Sequence, residues 1–257
     1  MQIDISKKRP VGRRVTIPGN RKKQTGISFT ALVIIAAAAF FIDCFGQAVL
    51  GIGNIWVYQL LRFIGQIAAP IACFLAAKLF CGTRNIKNLF ILGVILLAVS
   101  HVAFVYFNHE EFTLLRGTSF MLPVFLGCAA LFVKDMTTID SNMRTVMIFL
   151  LCLLAWFGSG GSVCAVWVFL LGSDLERSLK TKIFLFSWVL IFVIGLIYSV
   201  IEGRWYMELY RLGNLAALPL IMRYKEDREY PAWRYGCTLI YPVIMGAAAG
   251  AERIINS

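Results

Sequence analysis

Ionisable side chains are rare in this sequence wherever it is apolar, and the few that occur there are the candidates for chemistry. Asp43 is the only charge in the run Ile27–Leu50, and His101 is the only imidazole in Asn88–Phe107. Arg62 and Gln66 are four residues apart, so a helix puts them on one face, with Pro70 a further turn along. Arg116, Thr118 and Ser119 open a further apolar run, Glu208, Arg211 and Asn214 open another, and Tyr241-Pro242 lies in the last. Inside hydrocarbon such groups are costly, and they mark substrate or ion paths, proton relays or ion pairs. Each also has a purely structural reading. Asp43 with Arg62 or Arg211 can be a buried pair that locks helices together, and His101 can be a helix–helix hydrogen-bond partner. Arg62 and Arg116 can snorkel from span ends. Tyr241-Pro242 can be a kink, and Gly246-x-x-x-Gly250 reads as a packing contact.

Other chemistries find little support. The seven cysteines (Cys44, Cys73, Cys81, Cys128, Cys152, Cys164, Cys237) form no C-x-x-C pair and lie in or beside apolar runs, so they read as small hydrophobes. Two histidines make a His-based metal site improbable, and no metal is expected. No P-loop, dinucleotide-binding or G-x-S-x-G pattern is present. Gly158–Gly161 lacks the Lys-Ser/Thr of a phosphate loop and reads as a turn.

The elements that must position these residues follow from composition. The 257 residues are 59 % apolar and 15 % charged, with mean hydropathy +0.75. Soluble domains carry about 45–50 % apolar and about 25 % charged residues. A water-soluble globule, a disordered chain and a disulfide-stapled secreted module are therefore set aside. The expected fold is all-α, a polytopic transmembrane helix bundle. Runs near the 20 residues needed to cross a bilayer are Ile27–Leu50, Phe63–Cys81, Asn88–Phe107, Gly117–Val133, Thr145–Leu171, Ile183–Ile201, Tyr206–Met222 and Tyr235–Ala251. That makes eight spans if Thr145–Leu171 is one helix, and nine if its glycine run is a turn. Nine spans put the five basic connections on one side, so nine with the N-terminus cytoplasmic is preferred. Most intramembrane polar groups then fall on the outer side of the midplane, as around a polar cavity opening outward.

The expected organisation is a basic cytoplasmic tail (1–26), a single transmembrane domain (27–251) and a short C-terminal tail (252–257). The first 26 residues hold eight of the 25 Lys and Arg against one acid, Asp4. This tail reads as an orientation signal on an anionic leaflet rather than a nucleic-acid arm, so membrane lipid is an expected partner and nucleic acid is not. The apolar run that follows is too long for a signal peptide.

The order and spacing of four stretches resembles the TraX family of integral membrane proteins, over roughly residues 28–247. The first is Phe41-Ile42-Asp43-Cys44, where the family has an apolar run and Asp-His. The second is Arg62-Phe63-Ile64-Gly65-Gln66-Ile67-Ala68-Ala69-Pro70, followed by Thr83-Arg84-Asn85. The third is Val99-Ser100-His101-Val102-Ala103-Phe104, followed by Thr118-Ser119 and Leu126-Gly127. The fourth is Leu212-Gly213 with Pro219-Leu220, then Ile240-Tyr241-Pro242-Val243-Ile244. Two family-typical histidines are replaced here, by Cys44 and Ile244.

The family's named member is linked to N-acetylation of conjugative pilin. The resemblance thus implies acyl transfer from acetyl-CoA to an amine, on a pilin or another cell-envelope acceptor, at a bacterial inner membrane. Such a reaction uses a general base for the amine, with a carboxylate to orient it. Cationic groups stabilise the oxyanion. In this chain the catalytic assignment falls on His101 as base with Asp43 as its partner. Arg62, Gln66, Arg211 and Tyr241 form the polar, substrate-binding wall. Cys44 is a poorer acyl carrier, because a thiolate is disfavoured in lipid surroundings. His109 lies in an outer loop. Three function classes remain open: an acyltransferase, a non-catalytic relative serving conjugation or envelope assembly, and a small transporter. The last would show internal repeats, and none is evident.

Overall fold

In a computed structural model the described residues are 26–48, 55–83, 85–108, 118–203, 205–225 and 232–256. The basic tail, Arg84, His109 and Arg116 lie outside them. The described residues form ten α-helices and no strand. In chain order these are α1 (Phe29–Ala48), α2 (Ile55–Gly65), α3 (Ala68–Gly82), α4 (Ile86–Asn108) and α5 (Met121–Lys134). They continue with α6 (Ser141–Leu154), α7 (Gly161–Gly172), α8 (Arg177–Ile201), α9 (Gly213–Met222) and α10 (Ile240–Asn256). Four helical stretches are long and apolar enough to cross a membrane: Phe29–Gln47, Ile55–Gly82, Ile86–Asn108 and Arg177–Ile201.

The surface has the pattern of a lipid-facing bundle. No residue of α6 is buried. Phe149, Trp156, Phe186 and Ile194 are among many large apolar side chains that face outward. Water would make such a surface aggregate. Lipid tolerates it, because every helix satisfies its own backbone. The core instead forms around α3, where nine residues including Ile71, Phe74 and Phe80 are buried. They pack with Phe29 and Leu32 of α1, Trp167 and Val168 of α7, and Phe184 of α8.

Three prolines mark where helices begin. Pro70, Pro123 and Pro242 each occupy the third position of a helix, where a missing N–H costs nothing. The chain turns at Gln66–Ile67, so α2 and α3 form one broken stretch. That stretch starts at Ile55, eight residues earlier than the apolar run at Phe63 predicts. Tyr58, Gln59 and Arg62 are accommodated inside the helix because Gln59 and Arg62 turn inward: Gln59 is buried and Arg62 has an ion-pair partner on α1. The last apolar run is also divided. Residues 232–239 form a 3-10 helix, and α10 begins at Ile240, so Tyr241-Pro242 lies in its first turn and is not a mid-helix kink.

The glycine run separates two helices. A short 3-10 turn, Ala155–Phe157, ends α6, and Gly160 and Gly161 then take φ of 91° and 62° before α7. Glycine adopts these angles without the Cβ penalty. α6 and α7 run in opposite directions beside α5. At one end Lys134 and Asp174 pair at 3.1 Å, and Arg144 donates to the carbonyls of Lys134 and Met136. At the other end Thr118 N donates to Phe157 O at 2.8 Å and Ser159 N donates to Thr118 O at 2.7 Å. The first of these ends also holds the start of α1 and the end of α9, where Ile27 exchanges backbone hydrogen bonds with Arg223 and Lys225. It is called the proximal end below, and the opposite one the distal end. Gly246 and Gly250 are not a packing contact in this fold, since a Cβ on either would meet no atom within 4 Å.

Candidate functional site

Two glycines bring the polar residues together. α1 and α2 pack so closely that a Cβ on Gly65 would overlap the Asp43 side chain and backbone. A Cβ on Gly213 would overlap the Phe63 carbonyl, so the start of α9 lies directly on the end of α2. Small residues at such crossings are what let helix backbones approach in a membrane. Asp43, Arg62, Gln66 and Asn214 are thereby held within hydrogen-bonding reach, though they come from three separate segments.

Arg62 Nη1 donates to Asp43 Oδ2 at 2.6 Å, and both side chains are nearly enclosed. Gln47 Nε2, one turn along α1, donates to the same oxygen at 3.2 Å. The Gln66 amide also lies against this carboxylate, and its Oε1 accepts from Asn214 Nδ2 at 3.4 Å. Two polar contacts therefore lie side by side, the Arg62–Asp43 ion pair and the neutral Gln66–Asn214 amide pair. The charge-assisted bond of the first is the stronger kind in a protein.

A second charged pair flanks the first. The 3-10 helix Trp205–Leu212 carries Glu208, Tyr210 and Arg211, and Arg211 is ion-paired with Glu208. The Tyr210 ring lies under both guanidiniums, with Arg62 at 4.8 Å and Arg211 at 5.9 Å from its centroid, a cation–π arrangement. Trp188 Nε1 anchors this segment to α8 through the Arg211 carbonyl at 3.1 Å.

All of these groups except Glu208 line one end of a cavity of about 570 Å³. Along α1 the wall runs Phe29, Val33, Ala36, Phe40, Asp43, Gln47, which is one helix face passing from apolar to polar. Along α3 it runs Ala68, Ala69, Ala72, Leu75, Ala76, Leu79. Trp167 and Trp188 form another wall. Their indole N–H groups donate to Ser187 Oγ and Arg211 O, so the N–H donors are already used and the rings are left as apolar surface.

Tyr241 is also on the wall. Its hydroxyl accepts from Phe120 N at 3.3 Å, at the start of α5. Its ring stacks on Phe40 at 4.8 Å, one turn of α1 from Asp43. Five of the six residues singled out from the sequence, Asp43, Arg62, Gln66, Arg211 and Tyr241, therefore line one cavity.

His101 is placed differently. It is buried on α4 at 7 % exposure. Phe104 and Asn108, on the same face of α4, line the cavity, and His101 is not among the lining residues. Asp43 takes its hydrogen bonds from Arg62 and Gln47. Cys44 turns away from Asp43 into an apolar cluster with Phe107, Met245 and Ala249. Sequence reasoning passed over Gln47 and Tyr210. Gln47 is legible as the i+4 neighbour of Asp43; Tyr210 has no such signal, because its role depends on where the 3-10 segment lands. Of the remaining sequence candidates, Thr118 and Ser119 are buried at the distal end of α5.

No family model, no curated protein and no solved structure matches the chain.

Proposed function

We propose that this chain is a nine-span inner-membrane protein of TraX type that transfers an acyl group to an amine on a pilin or other cell-envelope acceptor. The observation that carries this reading is convergence. Segments bearing the resemblance, far apart in sequence, contribute Asp43, Arg62, Gln66, Asn214 and Tyr241 to one cavity. Residues that merely held helices together would have no reason to share a void.

In this reading the proximal end is cytoplasmic, as the basic connections favour, and the opposed directions of α6 and α7 support nine spans over eight. The donor is a thioester, acetyl-CoA by resemblance. The acceptor nitrogen attacks the thioester carbonyl, the C–N bond forms, the C–S bond breaks, and the thiol leaves with a proton. Asp43 is the only carboxylate on the described wall, and it receives the proton from the amine. Arg62 stabilises the oxyanion. Gln66 and Asn214 orient the acceptor, and Arg211 and Tyr241 close the wall. His101, buried on the α4 face that carries Phe104 and Asn108, is taken to support that part of the wall.

A second reading, a non-catalytic relative in conjugation or envelope assembly, has its own observation. Asp43 is already held by Arg62 and Gln47, and no imidazole lines the cavity among the described residues. One assay separates the two. Protein in nanodiscs receives labelled acetyl-CoA and an envelope extract, beside the Asp43→Asn and His101→Ala variants. Label on an acceptor, lost in Asp43→Asn and only reduced in His101→Ala, supports the enzyme. No label from folded protein, with an active family member as control, supports the non-catalytic relative.

A further inference from the structure

A second, smaller space lies beside the cavity. It is a groove walled by Phe90, Leu92 and Gly93 of α4 and by Phe125 and Cys128 of α5. Ala76, Leu79, Met121, Val124 and Thr238 belong to both walls, so the two spaces adjoin at these residues. Apart from Thr238 the groove wall is apolar. The five residues from α4 and α5 are only half-buried, and Ile91, Val94 and Ile95, beside them on α4, face outward. The groove therefore lies on a face that meets lipid. Its depth is set by α3. The polar cluster is level with the start of that helix, and Ala76 is eight residues beyond Ala68, about 12 Å at the usual rise. Half the hydrocarbon core of a bilayer is about 15 Å. A lipid of the distal leaflet with its headgroup at the cluster thus carries its chains at the depth of the groove.

The polar end has unused hydrogen-bonding capacity in both senses. Among the described residues Asp43 Oδ1 and Asn214 Oδ1 are enclosed acceptors without a donor, and Arg62 Nε is an enclosed donor without an acceptor. All three residues line the cavity. Enclosed polar atoms without partners are rare in native proteins. A ligand that satisfies them offers N–H donors and an oxygen acceptor together. It also brings no net charge, because Asp43 and Glu208 are already balanced by Arg62 and Arg211. Among common bilayer lipids phosphatidylethanolamine meets these conditions, with an ammonium and a phosphate on one zwitterion. Phosphatidylcholine has the charge balance but no N–H, and phosphatidylglycerol carries a net negative charge.

We propose that cavity and groove together bind phosphatidylethanolamine from the distal leaflet. The ammonium sits at Asp43 and Asn214, the phosphate at Arg62, and the chains leave through the groove between α4 and α5. Lipid chains gain almost nothing by exchanging one apolar medium for another, so selection falls on the headgroup. The lipid's role as acyl acceptor rests on the acyl-transfer reading; its binding does not. In that reaction the lipid nitrogen attacks the thioester carbonyl, the C–N bond forms and the C–S bond breaks. Of the three ammonium protons one stays on the amide, one leaves with the thiol and one is released through Asp43.

The test uses purified protein in phosphatidylglycerol nanodiscs that carry a trace of a lipid with a diazirine in one chain. Three probes share that chain and differ in headgroup: ethanolamine, choline or glycerol. Photolysis followed by peptide mapping locates the chain. The ethanolamine probe should label Leu92, Phe125 or Cys128 at least about fivefold more than either of the others, the factor that one net hydrogen bond is worth. Gly93→Trp, whose side chain would fill the groove against Phe125, should abolish those labels. Label confined to outward residues such as Phe186 and Ile194 overturns the proposal, as does groove labelling by either other probe as strong as by the ethanolamine probe. The mapping on unaltered protein stands without the variant, so a misfolded variant does not decide the matter. Selective labelling of the groove with no acyl transfer to this lipid or any envelope amine keeps the lipid site and removes the enzyme. Acyl transfer to a pilin amine without selective labelling keeps the enzyme and overturns the lipid site.

Discussion

Replacing Arg62 by Gln removes one half of an enclosed ion pair and leaves the other half behind. The two side chains are 13 % and 12 % exposed and 2.6 Å apart. Breaking a buried pair from one side costs about 3–5 kcal/mol, because the surviving charge has lost its compensation. Gln47 still donates to Asp43 Oδ2, and a hydrogen bond to a charged group retains about 1.5–3 kcal/mol. The loss of the Arg62–Tyr210 contact adds about 0.5–1 kcal/mol in the opposite sense. The net expectation for Arg62→Gln is a loss of about 3 kcal/mol. Changing both residues, Asp43→Asn with Arg62→Gln, leaves two neutral amides in place of two charges. That combination should cost no more than about 1 kcal/mol.

The coupling between the two sites is therefore at least about 2 kcal/mol, roughly a thirtyfold difference in the folded-to-unfolded ratio. It is measured as a double-mutant cycle, by denaturant titration of the four proteins in one detergent, with helicity as the readout. Additive losses within about 0.5 kcal/mol would show that the two charges do not sense one another. The ion pair at the polar end of the cavity would then be wrong.

Three further outcomes follow from the same geometry. Gly213→Ala should lower the melting temperature sharply in a detergent thermal scan, by about 2–3 kcal/mol of stability, because the new Cβ meets the Phe63 carbonyl and backbone cannot step aside. Tyr241→Phe takes the acceptor from Phe120 N at the start of α5. It should cost about 1–3 kcal/mol by the same scan, with the Phe40 stacking kept. Asp174→Ala should change stability by less than about 0.5 kcal/mol, since Asp174 is 98 % exposed in its pair with Lys134.

The polar residues of the site were legible because apolar runs make each exception conspicuous. Asp43, Arg62, Gln66, Arg211 and Tyr241 stand out against Ala, Ile, Leu and Phe, and the run Gly158–Gly161 announces a turn. What the sequence could not show is depth. α2 begins at Ile55 because Gln59 and Arg62 find burial inside the bundle, and hydropathy counts them as if they faced lipid. The 3-10 helix before Ile240 has no composition of its own, so Tyr241-Pro242 reads as a kink when it is the start of α10. His101 lies outside the cavity lining for a different reason. It shares a helix face with Phe104 and Asn108, so periodicity cannot distinguish it from a wall residue. The cavity's extent is set by the alanines of α1 and α3, which no pattern in α4 reports. Gly246 and Gly250 make the same point in reverse: a small-xxx-small spacing permits a close contact and does not create one.

The charges at the polar end explain why such a cluster survives among apolar helices. Asp43 and Glu208 are matched by Arg62 and Arg211, each in an ion pair, so no net charge is left in a medium where an isolated ion is prohibitive. That balance also constrains the ligand. An anion or cation entering the cavity would disturb a neutral arrangement and would have to break one pair to be held. A thioester carbonyl brings no net charge, and charge develops on its oxygen only as a nucleophile attacks. In the proposed reaction, Arg62 would then have a new anion to hold at the moment when Asp43 takes up the proton of the amine and ceases to be its counter-ion. In that proposal the Arg62–Asp43 pair, a lock in the resting protein, is also a charge that can be handed from Asp43 to the reacting oxygen without net charge appearing in the bundle.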